Sequence, residues 1–259
     1  MRERAGRSCP AGIPDGIPSH EAVAEGINLY SEYSLHDALK RIAAGPEGRI
    51  EVPVGGSIAD AVRPDGELVE IQTSHLGAIG DKLKAWLDAG FRVRMQVPLV
   101  ARKTIVRIDG STGEVLSRRK SPKKQGIFDL FDELVRASFL LSMEGLVIEV
   151  VFIESLELRR SLPEPVRRGR FLRSSETQDR VLQSIVERRE FRSAEDWLSL
   201  LPGFPDGGWD SASLAAAIGI PAPKARKILY SLARAGLLQS VKGEGRRKRY
   251  GRTDRFRSA

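Results

Sequence analysis

Two turns, Gly55-Gly56 and Arg63-Pro64-Asp65-Gly66, constrain this chain more than any other feature, because they decide which residues of three short runs face one another. The runs are "RIEVPV", "SIADAVR" and "ELVEIQT". A type I turn on Arg63–Gly66 has proline at its second position and glycine at its fourth, the placements such turns favour. With Gly66 left-handed it becomes a three-residue hairpin loop. Arg63 then pairs with Glu67, and Asp60 falls opposite Glu70 with Cβ atoms about 5 Å apart. If Gly55-Gly56 is a two-residue loop, Val54 pairs with Ser57 and Glu51 faces Asp60. Three carboxylates would then cross three strands in a row. Like charges placed opposite one another destabilise a sheet, so the row calls for compensation, which a divalent cation would supply. A slip of one residue in either hairpin would scatter the row and leave an ordinary wet face. Alternation puts Gln72 on the face of Glu70, with Val69 and Ile71 toward the core. Asp65 sits in the turn and reads as structural.

Around these runs the periodicity predicts a mixed α/β domain. "SLHDALKRIAAG" is a helix with Leu35, Leu39 and Ile42 as its apolar stripe, and "GAIGDKLKAWLDAG" is a second, stopped by Gly90. "FRVRMQVPLV" and "KTIVRID" alternate as strands, "IFDLFDELVRASFLL" reads as a helix and "LVIEVVFIE" as a closing strand. The expected order is α-β-β-β-α-β-β-α-β. "LRRSLPEPVRRGRFLRSS" is charged, carries two prolines and lacks a clean period, so it reads as a linker, with an amphipathic insertion as the alternative, and "ETQDRVLQSIVERRE" after it as a helix. The expected divisions are a tail at 1–20, the α/β domain at 21–156, a linker at 157–175, a second domain at 176–252 and a tail at 253–259.

The inventory of chemistry-bearing residues narrows the options. Cys9 is the only cysteine, which excludes an intramolecular disulfide and a cysteine zinc site and suits a reducing cytoplasm. His20, His36 and His75 are too scattered for a histidine metal centre, so a catalytic metal would be a hard ion held by carboxylates, magnesium with manganese as substitute. No apolar run reaches the roughly 18–20 residues a membrane span needs. The net charge of +8 lies entirely beyond residue 160, which suggests a polyanion-binding module in that half.

With Asp60, then Glu70-Ile71-Gln72 on the next strand, an acid near the first helix and a helix following, the chain resembles the core of the PD-(D/E)xK nuclease superfamily. The resemblance implies a restriction-endonuclease-like mixed sheet flanked by helices. It implies that Asp60 and Glu70 bind the metal, with the carbonyl of Ile71, and that Glu32 matches the acidic position at the first helix. Gln72 then stands where the superfamily usually has lysine. An amide can only hydrogen-bond, whereas a lysine orients water and stabilises charge. Lys82, on the edge of the next helix, could reach the sheet as a substitute cation or be a solvated lysine. His36 and Lys40 share a helix face by their four-residue spacing, either to touch DNA or as an exposed polar face. His75 reads as a loop residue able to meet a phosphate.

"SASLAAAIGI", a turn and "PKARKILYSLARAG" have the helix-turn-helix arrangement. "LLQSVKGEGRRKRYGR" then reads as strand, glycine-rich tip and strand, which resembles the wing of a winged helix domain. Lys224, Arg226 and Lys227 fall near the start of the recognition helix, and Arg246, Arg247, Lys248 and Arg249 in the wing. The alternative is a winged helix used for protein contact. Arg118, Arg119, Lys120, Lys123 and Lys124 form a basic loop, either a second phosphate contact or merely solvated. The expectation is a magnesium-dependent DNA endonuclease in which Asp60 and Glu70 hold the metal, Glu51 or Glu32 assists and Gln72 orients the water. Duplex DNA is the expected partner, with RNA a further possibility, and a homodimer is plausible because cutting both strands takes two sites. The alternative is a DNA-binding or regulatory protein whose nuclease-like domain has lost catalysis.

Overall fold

The computed structural model describes residues 35–241 and 248–253. Helix α1, Leu35–Ala44, is followed by strands β1, Arg49–Val54, β2, Ser57–Val62, and β3, Leu68–Ile71. Val54 pairs with Ser57, Ala61 with Val69 and Val62 with Leu68. The Arg63 amide donates to the Glu67 carbonyl at 3.0 Å, and Gly66 stands at φ 84°. The register is therefore the one the two turns imply.

Helix α2, Gly80–Asp88, carries the chain over to β4, Val93–Ile108, parallel to β3. β5, Val115–Lys120, folds back on the far half of β4, so β3 and β5 share one edge of it. Residues 127–142 form short 3-10 turns around α3, Phe131–Leu134, in place of the continuous helix expected. β6, Leu146–Arg168, lies parallel to β4 on its other edge, and β7, Phe171–Phe191, closes the seven-stranded sheet. α1 covers one face, with Leu39, Ala43 and Ala44 over Val69, Ile71, Val151 and Ile153. On the other face Leu83 and Trp86 of α2 pack with Leu68, Met95, Val97 and Ile148. Fully burying one such leucine contributes roughly 2 kcal/mol, so both layers are strongly held.

Several sequence expectations change. Residues 157–175 are not a linker but the adjoining ends of β6 and β7, and residues 176–190 are strand, not helix. Long-range partners decide this. β6 pairs with β4 from Leu146 as far as Arg160, and Leu156, Leu158 and Val181 bury against Val106 and Ile108. Pro163 and Pro165 fall in the irregularity between Ser161 and Val166, where no ladder amide is required. The expected boundary at 156 therefore lies inside a strand. "FRVRMQVPLV" and "KTIVRID" are one strand, and Arg118, Arg119 and Lys120 belong to β5 rather than a loop.

The last part contains α4, Ala194–Leu198, α5, Ser211–Ile218, α6, Ala222–Arg234, and the hairpin of β8, Leu238–Val241, with β9, Arg249–Arg252. Asp210 caps α5 by accepting the amides of Ala212 and Ser213, and Gly219 at φ 69° ends it. Ile228, Leu229 and Leu232 of α6 join the same apolar cluster as Leu130, Phe131 and Leu134. The C-terminal helices thus share a core with the sheet. Among the described residues no helix is long and apolar enough to cross a membrane.

Candidate active site

Asp60 and Glu70 meet where β2 and β3 part. The β2–β3 ladder runs through Ala61 and Val69, and one step further along the same register brings Asp60 opposite Glu70. There side chains take over from the ladder. Asp60 Oδ2 accepts the Ile71 amide at 2.9 Å.

Three cations close on this pair. Lys40 Nζ bridges Asp60 Oδ1 at 3.0 Å and Glu51 Oε1 at 3.1 Å. His36 Nε2 lies 3.1 Å from the Ile71 carbonyl oxygen and 3.6 Å from Asp60 Oδ2. Lys82 Nζ donates to Glu70 Oε2 at 2.6 Å and stands over the Trp86 ring. Burial opposes ionisation of Asp60, but His36, the Ile71 amide and Lys40 outweigh it and hold its pKa at about 2. Burial raises the pKa of Glu70, and the neighbouring Asp60 charge adds to this while Lys82 opposes it. The Asp60 hydrogen bond raises the pKa of His36 despite burial.

The expected row of three carboxylates is broken at Glu51. Pairing of β1 with β2 steps from Ile50–Ala61 to Val52–Ala59, and Glu51 between them stands at φ 54°. A left-handed non-glycine residue costs roughly 1–2 kcal/mol. The excursion takes Glu51 into solvent and lets Lys40 sit between the two acids. Gln72 is also withdrawn, because its Nε2 donates to the Ser74 carbonyl at 2.5 Å. His75 is exposed and left-handed, with its amide donating to Glu133. Glu32 lies outside the described residues.

The donors present are all oxygens, Asp60, Glu70 and the Ile71 carbonyl, which suits a hard ion that keeps several waters. They fit magnesium by type. Among the described residues no group of three His, Cys, Asp or Glu converges as a ligand set. A crevice of about 510 Å³ lies elsewhere, between Leu140, Met143, Phe191, Trp197 and Leu237.

Sequence reasoning passed over His36 and Lys40 as site residues, although their shared helix face was visible. It also missed an ionic network centred on buried Arg94 of β4, which joins Glu67 just before β3, Glu149 on β6 and Glu190 on β7. Arg94 reaches Glu67 at 2.8 Å, Glu149 at 3.2 Å and Glu190 at 2.6 Å, and Gln96 donates to Glu149 at 2.8 Å. A central parallel strand is buried on both faces, so its polar side chains must find partners. That signal was available.

The basic residues assigned to DNA are placed unevenly. Lys224 Nζ lies 2.5 Å from Asp129 and 3.0 Å from Asp132, and Lys227 Nζ 2.8 Å from Asp132. Burial works against the Lys224 charge, but the two aspartates outweigh it and raise the pKa. Both lysines thus face the turn before α3 and α3 itself, while Arg226 is exposed. Lys248 stands over Tyr250, and Arg249 is 3.8 Å from Asp210. Arg118, Arg119, Lys120, Lys123 and Lys124 are exposed along β5 and after it. Arg246 and Arg247 lie outside the described residues.

A family described as a domain of unknown function (DUF8091) matches residues 33–192, which run from the start of α1 to the end of β7. The chain belongs to this family. An uncharacterised protein of Treponema pallidum (strain Nichols) is 36% identical over 180 residues, covering 68% of this chain and 70% of that protein. No solved structure matches.

Proposed function

We propose that the chain is a divalent-metal-dependent DNA endonuclease of PD-(D/E)xK type, with Asp60 and Glu70 as its metal-holding acids. One observation carries this reading: Asp60 and Glu70 take adjoining places where β2 and β3 separate, near enough for the Asp60 charge to act on Glu70, and Asp60 accepts the Ile71 amide. Two further features support it, the α-β-β-β-α-β order and the parallel pairing of β3 with β4. Asp60, Glu70 and Ile71 would hold magnesium or manganese, which when bound supplies an activated water and neutralises charge at the phosphate. His36 and Lys40 keep Asp60 ionised, as a hard-ion donor must be. Lys82, not Gln72, supplies the cation beside the second acid. The α5–turn–α6 pair with the β8–β9 hairpin supports a winged helix reading, in which Lys224 and Lys227 meet duplex only after leaving Asp129 and Asp132.

A second reading, a nuclease-like DNA-binding protein without catalysis, has an observation of its own. Lys40, His36 and Lys82 already compensate the carboxylates, so the folded site needs no metal for charge balance. Incubating supercoiled plasmid with magnesium, manganese or chelator separates the two. The nuclease cleaves with metal alone, and Asp60→Ala lowers the rate at least about 100-fold. If the protein binds duplex yet neither ion yields cleavage, the binder reading stands and the nuclease is dropped.

A further inference from the structure

We propose that the hairpin 166–173, at the tip of the β6–β7 ribbon, is a duplex-DNA contact that enters the major groove. This rests on duplex DNA as the partner but not on catalysis.

The stretch "VRRGRFLR" holds four arginines, and no acid occurs from Val166 to Ser175. Val166 pairs with Arg173 and Arg167 with Leu172, with Gly169 at φ 61° in the turn. β4 stops accompanying β6 at Arg160, so the tip has no third strand. Arg167, Arg170 and Arg173 are exposed, as are Val166 at 49% and Leu172 at 69%. A lone two-stranded hairpin is marginal in water. One that leaves arginines and two large apolar side chains uncovered is shaped to meet a surface.

Charge complementarity selects a polyanion, and dimensions select duplex DNA. The B-form major groove, about 12 Å wide, admits a two-stranded ribbon, and Leu172 and Val166 suit thymine methyls. The major groove of duplex RNA is too deep and narrow for this. Ile71, Gln96 and Glu149 lie in one row across β3, β4 and β6, close to the start of β6, and the tip follows the other end of that strand. The hairpin is therefore a contact remote from Asp60 and Glu70.

The test is fluorescence anisotropy of full-length protein with a labelled duplex, in chelator, across a salt series. The triple variant Arg167→Ala/Arg170→Ala/Arg173→Ala should lose at least about tenfold in affinity, and its salt slope should shrink by about 2–3. The matching triple lysine variant should keep the slope, and Leu172→Asp should weaken binding alone. Unchanged melting temperatures check that the exposed substitutions leave the fold intact. Unchanged affinity and slope in the alanine variant overturn the proposal. So does wild-type protein that fails to bind duplex DNA, or that prefers duplex RNA or anionic vesicles through the same arginines. Metal-dependent cleavage with arginine-independent binding sinks the hairpin alone, and arginine-dependent binding without cleavage sinks the nuclease alone.

Discussion

The ammonium of Lys82 lies 2.6 Å from Oε2 of Glu70, joining α2 to the buried end of β3. Glu70 is nearly covered, at 6% exposure, so its charge depends on that partner. Removing the lysine leaves a carboxylate among apolar neighbours, which either stays charged at a cost or takes up a proton.

Lys82→Met should therefore destabilise the protein by about 1–3 kcal/mol at neutral pH. Urea unfolding measures it. Because burial raises the Glu70 pKa in the folded state, its contribution is complete below pH 4.5 and is lost as pH rises through the folded value. The loss in Lys82→Met should accordingly fade on acidification. Glu70→Gln in the same background should restore stability at pH 7, and equal stability of the single and double variants would refute the pairing.

Asp60 has the opposite sign. Its pKa is lowered from 3.8 to about 2, so its contribution is present above pH 4 and lost as pH falls through 2. Asp60→Asn should cost on the order of 1–2 kcal/mol at pH 7, with the difference from wild type shrinking toward pH 2. His36 titrates upward because of Asp60, so its own stabilisation is complete below pH 6.5 and is lost as pH rises through the folded pKa. NMR titration of the His36 ring should give a pKa above 6.5 in wild type that falls back in Asp60→Asn. An unmoved His36 would mean that its 3.6 Å approach to Asp60 does not govern the ring's titration.

The turns made β1–β3 legible because their chemistry is local. Pro64 and Gly66 specify one loop, the loop one register, and the register the opposition of Asp60 and Glu70. What the register could not convey is how a sheet avoids three aligned acids. It does so by a positive φ at Glu51 and a lysine from α1, a helix whose docking depends on distant residues of β6 and β7. The ribbon itself was illegible for the same reason. Val181, Leu182, Ile185 and Val186 suit a helical stripe as well as a strand, and only pairing with β6, itself held by β4, decides between them. Arg94 alternates with Val93 and Met95 as an exposed strand residue would, yet β4 lies between β3 and β6 and Arg94 is buried.

Arg94 supplies a stability test of that enclosure. Its guanidinium holds Glu67, Glu149 and Glu190 together at 3% exposure. Arg94→Met should cost about 3–5 kcal/mol in urea unfolding, because it strands buried carboxylates. Arg94→Lys should recover only part, since one ammonium cannot replace a guanidinium fork. A loss below about 1 kcal/mol would show that Arg63, 2.7 Å from Glu67, and Arg188, 2.8 Å from Glu149, suffice.

Lys224 and Lys227 pose the remaining question, whether α6 is a reader held in reserve. Their partners Asp129 and Asp132 are half-exposed, so Asp129→Asn/Asp132→Asn should change stability by no more than about 1 kcal/mol. Freeing two lysines at the start of α6 should nevertheless strengthen duplex binding and steepen its salt slope by about 2. Anisotropy in chelator reads both quantities on the full chain. In the Arg167→Ala/Arg170→Ala/Arg173→Ala background the gain should persist, because the hairpin and α6 are separate contacts. If the aspartate variant binds duplex no better than wild type, α6 serves packing against α3, and the basic tip of β6–β7 carries the DNA interaction without it.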